Sequence, residues 1–192
     1  MKYRARIVDC QLKELLGIAG FVVIEGPKAV GKTATARQVA ASEVALDTDL
    51  DARSLATLSP ETLLQKDPPL LIDEWQIVPQ LWSHVKREVD IRQRKGQFIL
   101  TGSAVPVDEI TRDSAAGRVA RIKMRPMSLF EAGKSNGEVS LDKLFKNIFK
   151  PSAQANGRLE GIVNLICKGG WPNNLELDVD QAQLAMKAYG TN

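Results

Sequence analysis

The sequence predicts an α/β fold: a three-layer sandwich on a five-stranded, mostly parallel sheet, followed by a short helical region. Three observations carry this. Short runs rich in β-branched residues alternate with helix-like segments four or five times, the order of a parallel sheet with helices on both faces. The first four of these runs are mostly apolar throughout, not at every second residue, as strands covered on both faces are. From Ser140 onward no such run recurs, and three helix-like segments follow. The chain has 192 residues, 44% hydrophobic and 26% charged. That suffices for one compact domain and part of a second.

Ile7, Leu12, Leu15, Leu16 and Ile18 fall on one side of a helix over 7–20, which Gly20 punctuates. Phe21-Val22-Val23-Ile24-Glu25 is a buried strand. Gly26-Pro27-Lys28-Ala29-Val30-Gly31 forms a loop, and alanine-rich Lys32 to Ser42 a helix. Val44-Ala45-Leu46 is a second strand. Ser59-Pro60-Glu61-Thr62 starts a helix that Pro68-Pro69 stops. Leu70-Leu71-Ile72 is a third strand. Pro79 opens a helix to about Arg94, with Leu81, Val85 and Val89 recurring at spacing four. Gln97 to Thr101 is a fourth strand. Val119 to Met124 alternates apolar and basic residues and is a fifth, less buried one. Helices are expected near 140–150, 158–168 and 179–189, with Gly133-Lys134-Ser135-Asn136-Gly137 as a linker.

Gly26-Pro27-Lys28-Ala29-Val30-Gly31-Lys32-Thr33 fits the phosphate-loop pattern G-x-x-x-x-G-K-[ST] in full, in the right place between a strand and a helix. Glycines let the backbone curl so that successive N–H groups face inward at phosphates. The following helix adds its positive end. Lys32 reaches the β and γ phosphates of ATP, and the Thr33 hydroxyl ligates Mg²⁺. Candidate binding residues therefore run from Gly26 through Ala34, with the Lys28 side chain expected to face outward.

The third strand ends in Asp73-Glu74. Asp73 can join the Mg²⁺ shell, and Glu74 can orient and deprotonate an attacking water. The fourth strand ends in hydroxyls, Thr101 and Ser103, at the edge where ligands of parallel sheets sit. Either can bond the γ-phosphate or the water; a plain strand-end turn is the other reading.

These residues, taken with later motifs, resemble a widespread group of prokaryotic AAA+-like ATPases whose members carry a further C-terminal region. The matching pieces are Glu25 to Thr33, Leu46-Asp47, Leu71 to Gln76, Gln97 to Ser103, Ala116-Gly117-Arg118-Val119, Arg125 to Glu131 and Gly169-Gly170-Trp171-Pro172. The resemblance implies an ATPase domain over 1–133, then a helical lid or the start of a C-terminal domain over 134–192. It implies that the strand ending in Thr101 lies between the phosphate-loop strand and the acidic strand. It also implies a role for Arg118 on a γ-phosphate, in cis or from a neighbouring subunit; a surface ion pair is the alternative. Many AAA+ proteins carry asparagine where this chain has Thr101. Members of the group continue well beyond the equivalent of Asn192, so the chain reads as a fragment or a natural truncation.

Other features bound the function. The net charge of +3 is small and by itself points to neither nucleic acid nor an acidic membrane. The basic stretch Arg87 to Lys95 reads chiefly as a solvated helix face and gives nucleic acid only slight support. Cys10 and Cys167 form no zinc or disulfide pattern. His84 is the single histidine and makes no metal site. Trp75 packs over the loop or in the core, and Trp171-Pro172 marks a turn expected to pack on the sheet. No apolar run has the length of a membrane span, and the expected location is the cytoplasm. The leading reading is a Mg²⁺-dependent ATPase that drives a change in an attached domain, a protein partner or a homo-oligomer. The alternatives are an ATP-dependent switch with negligible hydrolysis and, least, a small-molecule kinase.

Overall fold

A computed structural model describes residues 3–102, 117–148 and 159–190. They belong to two compact units, Met1–Arg125 and Pro126–Asn192. The glycine-rich stretch expected as a linker lies within the second unit. There it forms a turn in which Lys134 N–H donates to the Leu129 carbonyl at 2.7 Å.

The first unit runs α1 (Val8–Ile18), β1 (Phe21–Glu25), α2 (Lys32–Ala36), β2 (Ser42–Ala45), α3 (Leu50–Leu58), α4 (Pro60–Leu63) and β3 (Leu70–Asp73). A 3₁₀ turn (Trp75–Ile77), α5 (Leu81–Arg92), β4 (Phe98–Gly102) and β5 (Val119–Lys123) complete it. The sheet order is β2-β3-β4-β1-β5. Every neighbouring pair is parallel, so the mostly parallel sheet is wholly parallel. As the resemblance implies, β4 lies between β1 and β3.

Alternation along each strand divides the core into two layers. Phe21, Val23, Leu70, Ile72, Phe98 and Leu100 pack with Leu63 of α4 and Leu81, Trp82, Val85 and Val89 of α5. Val22, Ile24, Leu71, Ile99 and Ile122 pack with Leu12 of α1 and Ala36 of α2. Trp82 sits between two aromatic neighbours, edge-on to Phe21 and tilted to Trp75, each with ring centroids 5.3 Å away. Trp75 is therefore a core residue.

Several elements differ from expectation. Of the apolar residues assigned to one face of α1, Leu12 is buried while Ile7 and Ile18 are exposed. Helix α2 stops at Ala36, not Ser42. Its chain tightens into i→i+3 bonds at Gln38 and Val39, and the N–H groups of Ala41 and Ser42 go to the Pro69 carbonyl. That begins β2 two residues early. Helix α3 was not expected. Asp49 caps it, accepting from Ala52 N–H at 2.9 Å, but Leu50 and Leu58 are exposed and only Ala56 is buried. Its core-facing side is the short, mostly alanine set Ala52, Leu55 and Ala56, a weak apolar signal. In α4 the expected proline stands at the first position, while the Ser59 hydroxyl meets the Thr62 hydroxyl at 2.8 Å in place of a backbone cap.

The second unit contains α6 (Leu141–Phe145), α7 (Leu159–Lys168), a 3₁₀ turn (Pro172–Asn174) and α8 (Val179–Gly190), close to the expected positions. Two motifs of the resemblance meet here: Met127 N–H donates to the Gly170 carbonyl at 2.7 Å. A side chain at Gly170 would strike Met127, which explains the glycine. The ring contact of Trp171 is with Tyr189, centroids 5.6 Å apart. Among the described residues, no helix is long and apolar enough to cross a membrane.

Candidate functional site

The Gly26–Gly31 loop leaves the C-terminal end of β1 and enters α2. Gly26 has φ 153°, and a Cβ there would lie 2.5 Å from the Met124 carbonyl oxygen. Gly31 has φ 102° and Ala29 φ 62°, conformations that favour residues without bulk. Val30 is fully buried in the α1/α2 layer and anchors the loop. Pro27 is half-buried, and Lys28, Ala29 and Ala34 are exposed. The Lys32 ammonium folds back over the loop, donating to the carbonyls of Gly26 at 2.9 Å and Pro27 at 3.0 Å. Burial lowers its pKa, against the opposing pull of the Glu74 and Asp73 charges. Because α2 has five residues, its end adds less field than a long helix would. A phosphate held here would rest mainly on the loop and Lys32.

Asp73 ends β3 in register with Thr101 of β4. Thr33 Oγ1 donates to the two Asp73 oxygens at 2.9 and 3.0 Å, and the Thr101 hydroxyl donates to Oδ1. Thr101 is fully buried. Three elements thus converge on one carboxylate. Glu74 follows in the left-handed region, φ 52° and ψ 45°, rare for a residue with a side chain. It lies near enough to act on Lys32 electrostatically.

Arg118 is not brought to this cluster. It immediately precedes β5, and its carbonyl accepts from Phe21 N–H at the start of β1. The loop lies at the other end of β1, about 16 Å away at the rise of a strand. The Arg118 guanidinium pairs with Asp90, so the expected cis role gives way to a surface ion pair at the far edge. Ser103 lies outside the described residues. His84 faces Glu61 at 3.1 Å. In the basic stretch, Arg92 is turned inward to Glu88 at 2.7 Å and the Leu64 carbonyl at 2.7 Å.

Sequence reasoning missed the segment before α1. Arg6 is 8% exposed. Its guanidinium donates to the Val30 carbonyl in the phosphate loop at 2.9 Å and to the Arg125 carbonyl at 2.8 Å. Tyr3 donates to Asp9 at 2.6 Å and meets the Thr35 hydroxyl of α2 at 3.0 Å. Burial and the Asp9 carboxylate raise its pKa to about 12. No spacing rule marks an arginine that braces backbone carbonyls. Arg6→Ala is expected to cost about 2 kcal/mol, the scale of buried hydrogen bonds from a charged donor. Urea unfolding of the variant reads this directly, and Arg6→Lys should recover part of it.

A wholly parallel sheet, a glycine loop opening into Lys32-Thr33, an acid on the second strand over and a hydroxyl strand between them define a P-loop NTPase of the AAA+ arrangement. The model of the family described as "AAA domain" matches residues 19–133, more than half of the chain, and the chain belongs to this family. The uncharacterized proteins Rv2008c of Mycobacterium tuberculosis and Mb2031c of Mycobacterium bovis are each 30% identical to it over 141 residues, 70% of this chain and 32% of the relative. The chain thus spans about a third of the length of these relatives. The structure of AMPPCP-bound DnaA from Aquifex aeolicus is similar in fold, with a TM-score of 0.52 at 14% identity, covering 94% of this chain and 59% of that one.

Proposed function

We propose that this chain is a Mg²⁺-dependent ATPase that hydrolyses ATP to ADP and phosphate. The observation that carries the reading is the convergence of Thr33, Thr101 and Asp73 beside a folded-back Lys32, with Glu74 next in the chain. The similarity to a protein solved with AMPPCP bound supports the choice of nucleotide.

Loop N–H groups and Lys32 hold the β and γ phosphates, Lys32 exchanging its two loop carbonyls for phosphate oxygens. Thr33 and Asp73 would hold Mg²⁺: a hydroxyl and a carboxylate already within hydrogen-bond distance are the oxygen donors that ion takes. When bound, it supplies charge neutralisation on the phosphates. Glu74 takes a proton from water as the water oxygen bonds to the γ phosphorus and the bridging oxygen leaves with ADP. Thr101, donating to Asp73, fixes that carboxylate's orientation. We assign Arg118 to a γ-phosphate only in a neighbouring copy, since it lies at the far edge from its own loop. Hydrolysis would drive a change in an attached domain, a partner or such a neighbour.

Phosphate release tests the reading. Turnover of ATP is expected with Mg²⁺ and none with excess EDTA. Specific activity is expected to rise with chain concentration as copies associate, and a rate per chain independent of concentration would remove the trans arginine.

A further inference from the structure

We infer that Gln76 is a positioning residue that orients the Glu74 carboxylate. The inference deepens the ATPase reading and rests on it.

Glu74 opens the 3₁₀ turn Trp75–Ile77. Ile77 N–H donates to the Glu74 carbonyl at 3.0 Å and Val78 N–H to the Trp75 carbonyl at 3.1 Å. Trp75, buried in the core, anchors this turn to the sheet. The turn brings the side chain two positions on back beside Glu74, and Gln76 Nε2 donates to Glu74 Oε2.

The other end of the amide shows what selects this orientation. Gln76 Oε1 is buried and has no hydrogen-bond partner among the described residues. Rotating the amide by half a turn would free a donor there but set two oxygens against each other at Glu74. The orientation observed is the one that keeps the N–H₂ on the carboxylate, at the cost of a buried carbonyl left unsatisfied. The seat is shaped for it. A Cβ at Gly102, the last residue of β4, would overlap Gln76 Oε1 and come within 3.4 Å of the Trp75 ring. The amide is therefore held between a strand end and the acid, and its N–H₂ bears on the acid's direction. Small misplacements of a reacting group cost large factors in rate, which is why such a restraint matters to a general base.

The test is a double-mutant cycle on the full chain. Gln76→Met, which fills the seat without a donor, is expected to lower kcat about 10- to 100-fold while the ATP dissociation constant stays near wild type. In a Glu74→Gln background the same substitution is expected to change residual single turnover little, because no base remains to orient; a structural role would multiply the two losses. Gln76→Glu keeps the shape and replaces the donor by a repelling carboxylate. It is expected to lower kcat as well, and it carries the test if the methionine variant does not fold. A Gln76→Met or Gln76→Glu enzyme with wild-type kcat, or equal losses in both backgrounds, overturns the inference. Turnover that needs Glu74 but ignores Gln76 overturns it alone and leaves the ATPase reading standing. A wild-type chain without turnover overturns both.

Discussion

Glu74→Gln is expected to lower steady-state ATP turnover about a thousandfold, within the range lost with a positioned general base, and to leave ATP affinity nearly unchanged. The substitution keeps the shape and removes the proton acceptor. The groups assigned to phosphate and Mg²⁺ are others: Lys32 over the loop carbonyls and Thr33 on Asp73. Binding and chemistry therefore separate at this residue. Phosphate release and equilibrium titration with a fluorescent ATP analogue, run on the same preparations, measure the two sides. A variant that hydrolyses at the wild-type rate removes Glu74 as the base. A wild-type chain that binds ATP and releases no phosphate is a nucleotide switch, and the substitution then has nothing to abolish.

Lys32→Met is expected to act on binding itself. A charge-assisted hydrogen bond to phosphate is worth about 2–3 kcal/mol, so ATP affinity falls roughly 30- to 150-fold. Stability without nucleotide should not fall with it. Burial depresses the Lys32 pKa, so at neutral pH the ammonium is disfavoured in the folded chain relative to the unfolded one, and methionine relieves that cost. The expected thermal profile is a midpoint at or above wild type without ATP, and loss of the ATP-induced rise. A lowered midpoint without ATP would mean that the bonds to Gly26 and Pro27 outweigh the burial cost.

Much of this site was legible because each part has a local signature. The loop is a contiguous pattern, and Asp73 and Thr101 each close an apolar run whose C-terminal end is where parallel sheets place ligands. What was illegible depends on tertiary geometry. Helix α3 turns only Ala52, Leu55 and Ala56 to the core, between exposed leucines at its two ends. Arg6 bonds to carbonyls whose proximity only the fold creates, and Gln76 meets Glu74 only because the 3₁₀ turn folds it back. Arg118 shows the limit of reading by order along the chain. It follows β4 in sequence, but a parallel crossover returns the chain to the opposite edge. A residue just before a parallel strand therefore lies far from residues just after one, and that rule could have been applied beforehand.

The pairing of Asp73 with Thr101 has a wider consequence. Asp73 ends β3 and Thr101 is the last residue but one of β4, and both face the α2 side because each is an odd step from its strand's first residue. Inserting one residue early in β4 would remove no chemical group from the chain. It would also invert the parity of that strand, sending the Thr101 hydroxyl into the Trp82 layer and an apolar side chain onto Asp73. The sheet's count of residues is thus itself a determinant of chemistry. Insertions and deletions inside β3 or β4 should be as silencing as loss of the acid, though they touch no residue of the site.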